Sequence, residues 1–373
     1  MKKVGVIGNY GHNNLGDESI LHGILEVLPK EQDIVVFTES IEKSKLEQCT
    51  FEKADFKVLR RPFLGKITNI PFIFFDIIKN LRALDVIVIG GGGLLNDSYR
   101  FVAFYYFFLG LISRLFGKKL IVAGISVGPL RTKQAKLFSK MFLKLAHVVI
   151  VRDEPSFKFS KSENRHSLKC PDLALAKKVD NSTQERGYIA VNVIPYNNPI
   201  VWFDKDEHKY QAYVDETKKI LSYLINEKHE NIKLFPIDFE FDKHAIEDIY
   251  NSLSEEEKAS VSVAEINDVD SLVEVISGAK LMYGSRLHAA VLSVLCETPF
   301  ISSAYQEKVS NFAAEVNNSE NVIMLDELNA LFVCQRAEAI LNNQDIALNN
   351  AIKINQEVQT AILRAKELIN SQI

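Results

Sequence analysis

Short runs of Val and Ile alternate with longer amphipathic stretches along the whole chain, and that alternation predicts parallel βαβ units. In the first half KVGVIG, DIVVFT, FKVLR, DVIVIGGGG, KLIVAGISVG and VVIVRD read as strands. Between them lie helical patterns over GDESILHGILEVL, which stops at Pro29, and a polar one around SIEKSKLEQC. IIKNLRAL, an aromatic run from Phe101 to Phe116, and TKQAKLFSKMFLKLAH follow. The polar stretch KKVDNSTQERG breaks the pattern and predicts a linker.

The alternation then resumes. YIAVNVI, IKLFPID, VSVAEI, KLMYGS and PFISSAY read as strands, and YQAYVDETKKILSYLINEK, KHAIEDIYNSL, DSLVEVISGA and LHAAVLSVLCE as helices. The closing NAIKINQEVQTAILRAKELINSQI has helical spacing. The expected class is α/β, with two Rossmann-like domains facing a cleft, over residues 1–177 and 188–330, and a C-terminal helical tail over 331–373. In such sheets ligands sit beyond the carboxyl ends of the strands.

A chain of 373 residues, 47% hydrophobic and 25% charged, fits a two-domain globular protein. A net charge of −4 gives no long-range attraction to nucleic acid, so an anionic ligand has to be held by local groups. Cys49, Cys170, Cys296 and Cys334 are scattered without a CxxC pair, the pattern of reduced thiols, and MKKVGVIGNYG leaves no room for a signal peptide. A cytoplasmic protein is expected. IPFIFFDIIKNL contains Asp76 and Lys79, and FVAFYYFFLGLISRLF meets Arg114 before reaching spanning length, so neither predicts a transmembrane helix. The second is rich enough in Phe and Tyr to raise a peripheral membrane contact beside the simpler reading, a buried helix.

Several strand ends carry chemistry. In GNYGHNNLGDES the glycines Gly8, Gly11 and Gly16 are spaced too irregularly for a dinucleotide fingerprint. Asp17 and Glu18 occupy the positive end of the next helix, where they either complement its dipole or serve a hydroxyl-bearing ligand. Gly90, Gly91, Gly92 and Gly93 allow close passage of a ligand or of a neighbouring helix. Arg152, beside Asp153, can clamp a carboxylate or phosphate or close a structural ion pair. In GSRLH, Arg286 and His288 stand where a strand gives way to an apolar helix, so a guanidinium, an imidazole and a helix start converge as an anion site. Tyr305 and Lys308 leave the next strand as further contacts. Metal chemistry has weak support, since the histidines are dispersed and the DxD-like pair Asp204 and Asp206 lies in a polar segment that reads as a solvated face.

Taken in order, GNYGHNNLGDES, GGGGLLND, GISVGP, VRDEPS, CPDLAL, GSRLHAAV and TPFISSAYQEKVSNFAAEV make the chain resemble the polysaccharide pyruvyl transferase family. The resemblance implies a GT-B-like pair of Rossmann-like domains. It implies transfer of a pyruvyl group from phosphoenolpyruvate, as co-substrate and without a cofactor or metal, to sugar hydroxyls of a bacterial surface polysaccharide or its lipid-linked precursor, forming a cyclic ketal. On that reading Arg286 and Arg152, with Ser285, Leu287, Tyr305 and Lys308, hold the donor. His288 is the general acid, and Asp17 or Glu18 orients or deprotonates the acceptor hydroxyls beside the loops of Gly11, Gly16, Gly91, Gly92 and Gly93. Two alternatives stay open: a glycosyltransferase using a nucleotide sugar, and a non-catalytic binding protein of the same fold.

Overall fold

A computed structural model describes residues 1–38, 54–58, 77–97, 101–181 and 185–373. The polar helix expected around residues 40–49 and Cys49 lie outside the described residues. The chain divides into two compact units, Met1–Lys178 with Val358–Ile373, and Val179–Glu357.

Among the described residues of the first unit seven strands are all parallel: β1 (Lys3–Ile7), β2 (Asp33–Thr38), β3 (Ala54–Val58), β4 (Val86–Gly90), β5 (Lys119–Ile125), β6 (Val148–Val151) and β7 (Ser167–Lys169). Their order is β3-β2-β1-β4-β5-β6-β7. Val4, Val6, Val88, Ile89, Ile121 and Val122 have essentially no exposed surface, which is why these strands read as unbroken apolar runs rather than alternating ones. Strand order reverses between β1 and β4, whose ends carry the Gly8–Gly11 and Gly91–Gly93 loops. Helix Leu15–Val27 lies close against the turn Leu173–Ala176 because Gly23 has no side chain; a Cβ there would fall 1.6 Å from the Leu173 carbonyl oxygen. The short β7 was not apparent as a strand in the sequence.

The second unit repeats the plan with β8 (Tyr188–Asn192), β9 (Ile232–Leu234), β10 (Val261–Val263), β11 (Ala279–Gly284), β12 (Phe300–Ala304) and β13 (Val322–Met324), in the order β10-β9-β8-β11-β12-β13. The reversal falls between β8 and β11, with Gly284 level with Asn192. The stretch grouped in the sequence as one tail is divided. Helix Ala330–Asn342 buries Val333, Cys334, Ala337 and Ile340 in the core of the second unit, while helix Gln344–Asn370 starts in that unit and ends in the first.

Candidate functional site

Arg286 leaves the carboxyl end of β11, one of the two strands at the reversal, where a ligand is expected in an open parallel sheet. Its backbone N–H donates to the Asn192 side chain at the end of β8 (3.0 Å), so the neighbouring strand fixes the start of helix Leu287–Leu295. Its guanidinium Nε donates to both carboxylate oxygens of Asp242 (3.1 and 3.3 Å), and Nη2 donates to one of them. Asp242 is 0% exposed and also accepts the N–H groups of Ile237 and Asp238, each at 3.0 Å. Asp238 stands 3.9 Å from the same guanidinium.

Tyr305 and Lys308 join this group from the end of β12. The Lys308 ammonium lies 4.9 Å from the Tyr305 ring centroid, and Trp202 packs edge-on with that ring at 6.0 Å. Burial raises the Tyr305 phenol, but the Lys308 and Arg286 charges offset that and hold it below its usual value. Burial pushes the Asp238 carboxyl up, Arg286 draws it down and the Asp242 charge raises it again, leaving it at about 6. For Arg286, burial works against the charge, and the attraction of Asp242 more than offsets it, so the guanidinium is held ionised.

Not every expected donor contact has a side chain to offer. Leu287 is 6% exposed and packs in the core, so any contact from it is through its backbone. The buried Ser285 hydroxyl shares a hydrogen bond with Ser303 (2.8 Å). His288, half-buried, is the second residue of the helix that Arg286 precedes. Asp206 caps helix Glu207–Asn226 through the Lys209 N–H (3.1 Å), which accounts for one half of the Asp204–Asp206 pair. Asp238, Asp242 and Trp202 were missed in the sequence; for the two aspartates the signal available was a run of three carboxylates just past a strand in LFPIDFEFD.

A second cluster lies at the strand ends of the first unit. The helix holding Asp17 and Glu18 opens at Leu15 on an Asn14 cap, earlier than the sequence suggested. Asn9 donates to Asp17 (2.7 Å), and the Gly11 N–H to Glu18 Oε1 (2.8 Å). Glu18 is 2% exposed, and its Oε2 has no hydrogen-bond partner among the described residues. Burial pushes its carboxyl up, the Gly11 N–H pulls it down and Asp17 raises it further, to about 8. Gly92 faces this group: a Cβ on it would sit 3.2 Å from Asp17 Oδ1 and 3.9 Å from Arg152 Nη1. Gly11 and Gly91 hold left-handed backbone, at φ of 86° and 116°. Gly16 is buried and donates to Asn14 (2.9 Å), and Gly93 has open space where a side chain would be.

Arg152 donates from Nε to Ser126 (2.6 Å) and from Nη1 to Asp172 (2.7 Å), while Asp153 caps the helix Glu154–Lys161. The arginine's structural partner is therefore Asp172 of CPDLAL, not its neighbour. Among the described residues no group of three or more His, Cys, Asp or Glu side chains is arranged to hold a metal ion.

A family profile for polysaccharide pyruvyl transferase matches residues 14–307, which takes in Asp17, Glu18, Gly92, Arg152, Arg286, His288 and Tyr305. The chain belongs to the polysaccharide pyruvyl transferase family. Membership makes this pyruvyl transferase relative a transferase of polysaccharide synthesis. The amylovoran biosynthesis protein AmsJ of Erwinia amylovora is 21% identical to it over 417 residues, 99% of this chain and 97% of that protein. Among solved structures, the UDP-GlcNAc 2-epimerase from Neisseria meningitidis bound to UDP-GlcNAc superposes with a TM-score of 0.63 at 12% identity, covering 99% of both chains. Anabaena HepE in complex with UDP and glucose gives 0.62 at 12% identity, and Acinetobacter baumannii MurG 0.58 at 12%, each also over 99% of both chains. At such identities the likeness shows the fold, a pair of Rossmann-like units of the GT-B type, and nothing of the ligand.

Proposed function

We propose that this pyruvyl transferase takes its pyruvyl group from phosphoenolpyruvate bound at Arg286 in the second unit and transfers it to two hydroxyls of one saccharide unit as a ketal. The observation that carries the reading is the convergence of Arg286, Lys308 and a helix start bearing His288 at the strand reversal. Phosphoenolpyruvate has a carboxylate and a phosphate, and localised cations with helix N–H groups suit both. Arg286 spends Nε and Nη2 on Asp242, which aims the group and leaves Nη1 for the ligand.

The reaction needs a proton on the donor's methylene carbon. His288 supplies it, and the first hydroxyl attacks the carbon that bore the phosphate ester. Phosphate leaves, the second hydroxyl closes the ring, and both hydroxyl protons end on the enzyme or the phosphate. In the first unit, Glu18 is held in its acid form at neutral pH with Oε1 taken by Gly11. The hydroxyl-orienting role therefore falls to Asp17, which is half-buried beside Gly92. Arg152, fixed by Asp172 and Ser126, is a further anion-holding group there.

The test pairs binding with turnover. Phosphoenolpyruvate should raise the unfolding temperature of wild type and of His288→Gln, and much less that of Arg286→Lys. With a saccharide acceptor, wild type should release phosphate and add to the acceptor the mass of pyruvate less one water, and His288→Gln should do neither. Stabilisation by a nucleotide sugar and not by phosphoenolpyruvate would overturn the reading.

A further inference from the structure

We infer that the paired helices Val102–Leu115 and Lys133–Leu145 of the first unit dock against the surface of an anionic phospholipid bilayer. The inference does not depend on which donor or acceptor the enzyme uses. The two helices pack on each other and send Tyr105, Tyr106, Leu109, Phe142 and Leu143 into the core. What they leave outside includes large apolar groups: Phe101 is 50% exposed, Leu115 69% and Leu137 55%, with Phe104 and Met141 also in solvent. Phe104 meets Phe138 edge to face at 5.2 Å, so the aromatic side chains of the first helix reach the second. The sequence pointed to Phe101–Phe116 alone; the structure turns half of that segment inward and brings in a second helix.

Charge selects the occupant. From Ser98 to Arg152 there is no Asp or Glu, in a chain whose net charge is −4. Leu137 and Met141 are four residues apart on one helix face, and Lys133, Lys140 and Lys144 stand three or four residues from them on the same side. Lys140 and Lys144 reach Glu163 at 2.7 and 3.3 Å, while Lys133 and Lys136 are exposed with no ion pair among the described residues. The solvated face of an ordinary helix mixes both signs of charge. Here Glu163 answers Lys140 and Lys144, and Asp97 accepts the backbone N–H groups of Arg131 and Thr132, so Lys133 and Lys136 carry the surplus positive charge beside the exposed Leu137 and Met141. Exposed apolar side chains next to unpaired lysines are the pattern of a helix lying in a membrane interface, with ammonium groups at the phosphates and Leu, Met and Phe below them. No described helix is long and apolar enough to cross a membrane, so contact of this kind is lateral.

Flotation of the full chain with vesicles of phosphatidylcholine, with and without phosphatidylglycerol, tests this. Binding should require phosphatidylglycerol and be reversed by salt. Lys133→Gln/Lys136→Gln should weaken it by about five-fold per lysine, and Leu137→Ser/Met141→Ser should weaken it as well. Both changes lie on solvent-facing positions, and matched unfolding temperatures and matched circular dichroism without vesicles should show intact folding. Failure to float, equal binding to pure phosphatidylcholine, or wild-type binding by both variants would overturn the inference. So would a wild-type dimer that Leu137→Ser/Met141→Ser breaks without any vesicle binding, since the face would then belong to a second copy of the chain.

Discussion

Arg286 and Asp242 are 44 residues apart in sequence and joined through both oxygens of a carboxylate that has no exposed surface. The pair forms because β9 and β11 flank β8, which brings the segment after β9 to the end of β11. Removing only the cation leaves a charge stranded in the interior. Arg286→Ala should therefore cost about 3–5 kcal/mol in urea unfolding, apart from any effect on donor binding. Arg286→Lys, which keeps the charge but loses the two-pronged geometry, should lose clearly less. Equal losses in the two variants would show that the charge is not what Asp242 requires.

Asp238 bears on pH. Its carboxyl is raised to about 6 with Arg286 alongside, and an anionic donor adds negative charge next to it, favouring the neutral acid. Above about pH 6 donor binding should therefore take up a proton and weaken as pH rises. Calorimetry in two buffers of different ionisation enthalpy will read the uptake. Asp238→Asn should abolish it and bind phosphoenolpyruvate about ten-fold more tightly at alkaline pH. An unchanged pH dependence in that variant would remove Asp238 from the donor site.

Glu18 should show itself in stability. Its folded carboxyl, at about 8, lies above the value of 4.5 for an unperturbed glutamate. The native state holds the proton more tightly, so its contribution is complete below about 4.5 and is lost as pH rises through about 8. Glu18→Gln carries no proton to lose. Its unfolding temperature relative to wild type should therefore increase between pH 5 and pH 9, and a constant difference would contradict the shift.

Gly92 supplies space between Asp17 and Arg152. A methyl group 3.2 Å from Asp17 Oδ1 forces that carboxylate to move by a few tenths of an ångström. Gly92→Ala should lower turnover by roughly ten- to a hundred-fold while leaving the unfolding temperature nearly unchanged. The corresponding change at Gly93, which faces open space, is its control.

The strands were legible because parallel strands covered on both faces read as continuous Val and Ile, as in β4 and β5. SRLH stood out because it puts an arginine and a histidine between a strand and an apolar helix, but the sequence did not show that Arg286 also has a structural partner in Asp242. Asp242 was not legible, since an aspartate near a helix start looks like a cap until the fold brings an arginine to it. Trp202 was hidden in the same way: WFDKDEH reads as solvated, and only β12 brings Tyr305 against the indole ring. Arg152 showed the limit of reading neighbours, because its carboxylate is Asp172, from a segment 20 residues on.

The final helix sets the order in which the protein can be finished on the ribosome. Ala365 and Ile369 are fully buried in the first unit, and Gln359 and Lys366 donate to carbonyls of Leu175 and Glu26 there. The unit begun at Lys3 thus lacks part of its packing until Val358–Ile373 has been synthesised, whereas every residue of the second unit has been made by Glu357. The unit that is begun first is completed after the second, and during that interval its uncovered apolar surface is a natural target for chaperones.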